Sequence, residues 1–140
     1  MGYAYRLTLI VYGYKLSEKT ILCVDDDELS RLVLLKFIES SAGNYSSAGA
    51  KSGNDCLSFV SKNKVDLIIL DYNLGDMSGA EVCKMIPSTS MNPDVPIIIA
   101  SVVDRQDLTG NCDYQNVVKI VQKPYYINNF HQDILDVLGA

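Results

Sequence analysis

The chain has 140 residues, of which 48% are hydrophobic, so it can bury a core as one domain and is too apolar to be disordered. Its formal net charge of −5 argues against a large nucleic-acid surface, because phosphate backbones bind to clustered lysine and arginine side chains. The longest apolar run near the start, residues 9–11, is too short for a secretion signal or a membrane span, so no membrane partner is expected.

The four cysteines show no metal-binding pattern. Cys23, Cys56, Cys83 and Cys112 lie far apart in the sequence, and His131 is the single histidine. Metal sites built from these residue types need closer and paired spacings. Three of the cysteines lie in apolar segments and are predicted to be small buried hydrophobic residues, which favours a reducing, cytoplasmic location.

The first residues of the chain show a period of two. Tyr3, Tyr5, Leu7, Leu9 and Val11 alternate with neighbours that are mostly smaller or polar. This pattern predicts an extra β segment or arm within an N-terminal extension over residues 1–19, ahead of a domain over residues 20–140. An open apolar strand edge tends to pair with another segment. The N-terminal segment is therefore expected either to pack on the domain or to pair with another chain, for example in a homodimer.

From residue 20 onward, short apolar runs alternate with helical patterns. Compact apolar runs predict strands, with a weaker candidate at residues 45–48. The predicted strands cover residues 21–24, 45–48, 66–70, 96–100 and 117–121. The predicted helices cover residues 28–39, 51–62, 78–86 and 127–138. The segment 104–112 contains Gly110, which costs about 1 kcal/mol relative to alanine within a helix, so only a short or mobile helix is expected there.

The first predicted helix carries two rows of apolar residues. Leu29, Val33 and Phe37 are spaced four apart, and Leu34 and Ile38 lie beside them. A stripe of this width is typical of a helix that packs on the core. We therefore expect all five side chains to be part of the core.

Apolar strands separated by helices predict a doubly wound α/β protein: a five-stranded parallel sheet in a flavodoxin-like three-layer sandwich. Such sheets bind ligands at the carboxyl ends of their strands. Asp25 and Asp26 follow the first strand, Asp71 ends the third, Ser101 ends the fourth and Lys123 lies past the fifth. The sequence thus predicts three carboxylates, a hydroxyl and an ammonium group along one edge of the sheet.

These groups suit phosphoryl transfer. Clustered carboxylates repel one another unless a cation neutralises them, and ligand sets made only of oxygen suit Mg²⁺ at phosphate sites. A lysine supplies a point charge for phosphoryl oxygens, and a serine hydroxyl can donate to another oxygen. An aspartate carboxylate is a suitable nucleophile for forming an aspartyl phosphate.

Four sequence blocks, in order, resemble the signature blocks of the receiver domains of two-component signalling. The blocks are residues 21–27, residues 67–74 with the continuation to Gly79, residues 96–101, and Lys123 with Pro124. The resemblance covers residues 20–138. It implies that Asp71 accepts a phosphoryl group from a sensor histidine kinase or a histidine phosphotransfer protein, and that the domain is regulatory rather than an enzyme.

The resemblance also implies roles for the neighbouring residues. Ser101 and Lys123 would hold the phosphoryl oxygens, and Gly79 would serve the turn into the third helix. The Lys123–Pro124 peptide bond is often cis in this family. The implied ligands of Mg²⁺ are Asp25 (largely through water), Asp26, Asp71 and the backbone carbonyl of Asn73.

Three positions depart from the family pattern. Gly75 stands where proline is usual, and Val102 stands where a small residue is usual, which narrows access to the site. Ile120 replaces the tyrosine or phenylalanine that rotates inward on activation in many members. The last difference puts the aromatic form of signalling in doubt, but not phosphorylation.

Each block alone also fits an ordinary structural role. The run Asp25–Asp27 fits a helix cap, with Asp27 well placed to cap the first helix. Asp71 and Ser101 fit turns at strand ends, and Lys123 fits a surface lysine. The combination of the four blocks favours the functional interpretation.

Three rival functions fit the same architecture. A flavin mononucleotide binder needs a loop that attracts phosphate after the first strand, where this chain has three aspartates. An aspartyl phosphatase needs a second aspartate two residues after its nucleophile, where this chain has Asn73. A pseudo-receiver that acts only as an interaction module is the remaining alternative. Whether the domain acts alone or as part of a hybrid kinase, and on which downstream target, stays open.

Overall fold

A computed structural model describes residues 18–41, 43–89, 91–102, 115–124 and 127–139. In this part of the chain, five parallel strands form one sheet in the order β2-β1-β3-β4-β5. The strands are β1 (Lys19–Val24), β2 (Tyr45–Ala50), β3 (Leu67–Asp71), β4 (Ile97–Ser101) and β5 (Val117–Gln122). The helices are α1 (Glu28–Ser40), α2 (Gly53–Lys62), α3 (Gly79–Met85) and α4 (Ile127–Leu138). This is the predicted flavodoxin-like α/β sandwich.

The sheet separates two hydrophobic cores. Alternate residues of each central strand point to opposite faces, as in Ile21 and Leu22 of β1, which lie in different cores. Helices α2 and α3 cover one face, and helices α1 and α4 cover the other. Because β1, β3 and β4 are buried on both faces, their apolar runs show no polar alternation.

Polar side chains fix where the first three helices begin. The side chain of Asp27 accepts a hydrogen bond from the Ser30 N–H at 2.8 Å, as its position in the sequence predicted. Ser52 caps α2 in the same way, so this helix begins at Gly53, two residues later than expected. Ser78 and Glu81 form a reciprocal capping box at the start of α3.

The expectation that the whole apolar stripe of α1 lies in the core is wrong in part. Leu34 and Ile38 are buried, but Leu29 is 70% exposed and Val33 is 62% exposed. The row 29/33/37 lies on the flank of the helix that faces α4 rather than the sheet. Phe37, the last residue of this row, is partly covered on that flank, because it lies against Phe130 with ring centroids 6.0 Å apart.

Two of the sequence predictions fall outside the described residues. One is the β segment predicted within the extension 1–19, of which only residues 18 and 19 are described. The other is the weak helix predicted at residues 104–112. Among the described residues, the helices include none with the length and apolar character needed to cross a membrane. The three cysteines described here, Cys23, Cys56 and Cys83, are free and buried, as the sequence predicted.

Candidate functional site

The parallel sheet brings the predicted polar residues to one edge. Asp25 follows β1, Asp71 ends β3, Ser101 ends β4, and Lys123 follows β5. These four strands are neighbours in the sheet and run in one direction, so their carboxyl ends lie side by side. Four separate parts of the sequence therefore contribute to one site.

Three carboxylates meet at this edge. One oxygen each from Asp25, Asp26 and Asp71 lies within 4.8 Å of the others. Asp25 is buried, Asp71 is half-buried and Asp26 is exposed, so the cluster opens to solvent on the side of Asp26. A group of carboxylates this close together is a place where a cation lowers the electrostatic energy.

Lys123 supplies the positive charge of the site. Its Nζ donates a hydrogen bond to Asp25 Oδ2 at 2.8 Å and lies 3.6 Å from Asp71 Oδ2. The Lys123 N–H donates to the Ser101 carbonyl at 2.8 Å, which aligns the end of β5 with the end of β4. The Lys123–Pro124 peptide bond is cis.

The backbone and side chain of Asp25 are held from several sides. Its Oδ1 accepts a hydrogen bond from the Asp27 N–H at 2.9 Å. The Arg31 guanidinium donates to its backbone carbonyl at 2.7 Å. With Lys123 on Oδ2, these contacts fix the position of a carboxylate that is only 4% exposed.

The electrostatics of the site single out Asp71. Burial raises the pKa of its carboxyl to about 6, and the charges of Asp25 and Asp26 act in the same direction. The charge of Lys123 and a hydrogen bond from the Asn73 backbone act in the opposite direction. The ionised form of Asp71 thus lacks compensation from protein groups alone, which fits a site that is completed by a cation.

The segment between β3 and α3 passes directly beside Asp71. The Gly79 N–H donates to the Tyr72 carbonyl, and a Cβ at Gly79 would come within 3.1 Å of the Asp71 carbonyl. A side chain at this position would therefore push the backbone of Asp71 and Tyr72 away by a few tenths of an ångström. Asn73 is exposed and pairs in a short antiparallel bridge with Ser78.

Ser101 is buried at the end of β4, with 1% of its surface exposed. Its neighbour Ala100 pairs with Asp71 in the sheet, so the serine lies on the strand adjacent to the candidate acceptor. The next residue, Val102, is 70% exposed.

An apolar cavity of about 570 Å³ adjoins the polar cluster. Its apolar wall comes from the exposed row of α1 and from Phe130 of α4, and Lys123 lines its polar end. The sequence does not predict this cavity, because the apolar stripe of α1 predicts that Leu29 and Val33 lie in the core.

Two further residues of the site are not predicted by the sequence. Arg31 holds the Asp25 carbonyl, and Asp76 accepts hydrogen bonds from the start of α2. The dipeptide Gly75–Asp76 is a turn signal that was visible in the sequence. Its partner lies more than 20 residues away, and no local pattern indicates such a contact.

The comparisons with known proteins agree with this fold. The family model for the response regulator receiver domain matches residues 21–135. The chain therefore belongs to the response regulator receiver domain family.

Curated relatives include proteins longer than this chain and proteins of nearly the same length. The heme response regulator HssR of Staphylococcus saprophyticus is 30% identical over 125 residues, which are 85% of this chain and 51% of that protein. The polar-differentiation response regulator DivK of Brucella ovis is 25% identical over 126 residues, which are 86% of this chain and 97% of that protein. The chain thus spans about half of the first relative and nearly all of the second.

Solved structures share the fold. The chemotaxis response regulator CheY4 of Vibrio cholerae has a TM-score of 0.79 at 21% identity, covering 87% of this chain and 100% of that one. The receiver domain of the sensor histidine kinase PA1611 of Pseudomonas aeruginosa, solved with a magnesium ion coordinated in its active-site cleft, has a TM-score of 0.78. It is 19% identical and covers 89% of this chain and 100% of that one.

Proposed function

We propose that Asp71 of this domain receives a phosphoryl group from a phosphohistidine protein in a magnesium-dependent reaction. The observation that carries the proposal is the meeting of three carboxylates and one ammonium group at the carboxyl edge of the sheet. Oxygens of Asp25, Asp26 and Asp71 lie within 4.8 Å of one another, and the Lys123 Nζ lies 3.6 Å from Asp71. Few other groups are needed for this chemistry.

The proposed reaction transfers one phosphoryl group without oxidation or reduction. A carboxylate oxygen of Asp71 attacks the phosphorus in line with its bond to the imidazole nitrogen of the donor. The new P–O bond forms as the P–N bond breaks, and the imidazole, protonated on its other nitrogen, leaves with the electron pair as neutral histidine. Attack of water on the aspartyl phosphate later releases inorganic phosphate and restores Asp71.

The neighbouring groups stabilise the charge on the phosphoryl oxygens. We assign Lys123 as a point charge and Ser101 as a hydrogen-bond donor to these oxygens. We assign the metal ligands as Asp25, Asp26, Asp71 and the carbonyl of Asn73. All of these donors are oxygen atoms, as a hard cation prefers, and the raised pKa of Asp71 supports a site in which a cation compensates the carboxylate charge. When bound, Mg²⁺ neutralises charge on the carboxylates and on the phosphoryl group.

The phosphohistidine donor is proposed to be a protein, either a sensor histidine kinase or a histidine phosphotransfer protein. The apolar cavity beside α1 is continuous with the phosphoacceptor site, because Lys123 both lines the cavity and contacts Asp71. An exposed apolar surface in this place suits the donor protein, whose phosphohistidine must reach Asp71. The downstream target is a protein that recognises the conformation of the phosphorylated domain.

The domain is regulatory, and the transfer and later dephosphorylation are self-catalysed. The free, buried cysteines support a reducing compartment, so we propose a cytoplasmic location. We also propose that residues 20–140 form the receiver domain and residues 1–19 an extension. A phosphorylation-independent interaction module is the alternative function, and the retention of Asp26, Asp71 and Lys123 counts against it.

The test is phosphorylation of the full chain by labelled phosphohistidine proteins and by acetyl phosphate, with Mg²⁺ or with EDTA. Labelling is expected to require Mg²⁺ and to be abolished by Asp71→Asn. The control Asp55→Asn alters an exposed carboxylate on α2 and is expected to be labelled like the wild type. Labelling of Asp71→Asn at the wild-type level, or equal labelling in EDTA, would refute the proposal.

A further inference from the structure

The side chain of Asp76 fastens the segment between β3 and α3 to helix α2. The Oδ1 of Asp76 accepts a hydrogen bond from the Gly53 N–H at 3.0 Å, and its Oδ2 accepts one from the Asn54 N–H at 2.9 Å. Both oxygens of a single carboxylate thus bind two successive N–H groups at the positive end of a ten-residue helix. The same bonds hold the pKa of Asp76 below its ordinary value.

A glycine beside Asp76 makes this contact possible. Gly75 has φ +82°, and the Asp76 N–H donates to the Leu74 carbonyl at 3.0 Å, which closes a γ-turn around Gly75. Proline, usual at this position in resembling domains, has φ fixed near −65° and cannot form this turn. A Cβ at Gly75 would lie 3.7 Å from Asp26 Oδ2, so the turn also runs beside the carboxylate cluster.

Two backbone hydrogen bonds of this segment are internal. The Leu74 N–H donates to the Met77 carbonyl, and the Gly79 N–H donates to the Tyr72 carbonyl. These bonds close the loop on itself but do not position it on the rest of the domain. Three side chains do so: Leu74, which is buried in the core between the sheet and helices α2 and α3; Met77, which occupies the space where a Cβ of Gly53 would lie; and Asp76, whose carboxylate accepts two hydrogen bonds from the start of α2.

We infer that Asp76 is a positioning residue for the metal site: it holds the segment that carries the Asn73 carbonyl by fastening that segment to α2. The inference rests on the proposed function, in which this carbonyl is a ligand of Mg²⁺. Mg²⁺ requires near-ideal octahedral geometry, so a carbonyl on a loosened segment binds it more weakly. Loss of an outer contact of a metal ligand commonly lowers metal affinity about tenfold or more.

The test measures Mg²⁺ affinity of the full chain by isothermal titration calorimetry, at a temperature where circular dichroism shows every variant folded. Asp76→Ala is expected to raise the Kd for Mg²⁺ about five- to tenfold. Asp76→Asn keeps one acceptor oxygen, so a smaller increase is expected. The matched control is Ser52→Ala, which removes the hydrogen bond from the Asp55 N–H on the same helix without touching the segment.

The control separates positioning from helix stability. Ser52→Ala is expected to lower Tm but to leave the Kd within about twofold of the wild type. An increase in Kd as large in Ser52→Ala as in Asp76→Ala, or no increase in Asp76→Ala, would overturn the inference while leaving the proposed function intact. No Mg²⁺ binding by the wild type at millimolar concentrations would overturn both.

A reciprocal measurement uses the amide protons at the helix start. If the Asp76 contact links the metal site to α2, Mg²⁺ must strengthen that contact as much as the contact strengthens Mg²⁺ binding. Hydrogen exchange followed by nuclear magnetic resonance is therefore expected to slow at Gly53 and Asn54 when Mg²⁺ is added to the wild type. Unchanged exchange at both amides under saturating Mg²⁺ would contradict the inference.

Discussion

The ionised carboxylate of Asp71 lowers the stability of the folded protein. Its carboxylate lies beside two other carboxylates, and burial together with their charges raises its pKa to about 6. A group whose pKa is raised on folding makes the folded state less stable as pH rises through the interval between its unfolded value and about 6. At neutral pH and without metal, the ionised carboxylate of Asp71 therefore lowers the free energy of unfolding by its full amount.

This cost predicts that Asp71→Asn stabilises the metal-free protein while abolishing phosphorylation. The shift in pKa sets an upper bound of about 3 kcal/mol. Because Asp71 is partly open to solvent, which screens the charge, we expect a gain of about 1 kcal/mol, or an increase in Tm of about 3 °C in EDTA at pH 7. The difference is expected to vanish as pH falls toward 4, where folded wild type binds the proton.

Comparing the Asp71→Asn variant with the wild type in Mg²⁺ and in EDTA tests this explanation. Saturating Mg²⁺ stabilises the wild type by binding only the folded state, so the advantage of Asp71→Asn is expected to disappear. The control Asp94→Asn changes an exposed aspartate outside the cluster, and its Tm is expected to stay within about 1 °C of the wild type. A lower Tm for Asp71→Asn than for the wild type in EDTA would contradict the electrostatic account.

At the scale of elements, helix α1 presents an apolar row that the core does not use. Val33 lines the cavity beside Lys123, whereas Leu32, on the same helix and 48% exposed, does not line it. If the phosphohistidine protein binds this surface, Val33→Asp is expected to slow transfer from that protein about tenfold, or by about 1.4 kcal/mol of barrier. Loading by acetyl phosphate, which needs no docking surface, is expected to be unchanged.

Leu32→Asp is the matched control for this prediction. It places the same charge on the same helix at a similar exposure, but away from the cavity. Both transfer rates are expected to stay at the wild-type level. Equal slowing by the two variants would indicate a general effect of charge on α1, and slowing of acetyl phosphate loading in Val33→Asp would indicate damage to the site itself.

The sequence predicted elements well where a short-range pattern determines them. Apolar runs predicted the five strands, and Asp27 predicted the start of α1. The edge on which the polar residues meet followed from parallel pairing alone. The family match and the fold are confirmed, whereas the roles of the individual site residues stay predictions.

Contacts between distant segments could not be predicted in this way. Asn92 is buried, its Nδ2 donates to the Val60 and Asn63 carbonyls, and its Oδ1 accepts from the Val65 N–H. It reads in the sequence as an ordinary loop asparagine. The prediction that the apolar row of α1 lies in the core was wrong for a related reason. Helical periodicity shows that Leu29 and Val33 share a face with Phe37, but it does not show whether a neighbouring helix covers that face.

At the scale of the whole molecule, the described sheet and cores begin with β1. Lys19 is the first residue of the sheet, and the first members of the two cores are Ile21 and Leu22. Because the family match begins at residue 21, we expect a folded unit that does not depend on the extension. Deletion of residues 1–18 is therefore expected to leave Tm within about 3 °C of the full chain and to leave Mg²⁺ affinity unchanged, as measured by thermal unfolding and calorimetry.

The same deletion is expected to change solubility or sedimentation behaviour, because the removed residues include the alternating apolar side chains of the proposed β segment, which would seek an edge to pair with. Sedimentation velocity at several concentrations measures the change. Replacing Tyr5, Leu7 and Leu9 together by serine in the full chain removes the alternation while keeping the length, and is expected to reproduce the effect of the deletion. If the deletion unfolds the domain, the proposed boundary at residues 19 and 20 is wrong. If solubility and sedimentation match those of the full chain, the extension is a passive tail, and the period-two pattern has no structural consequence.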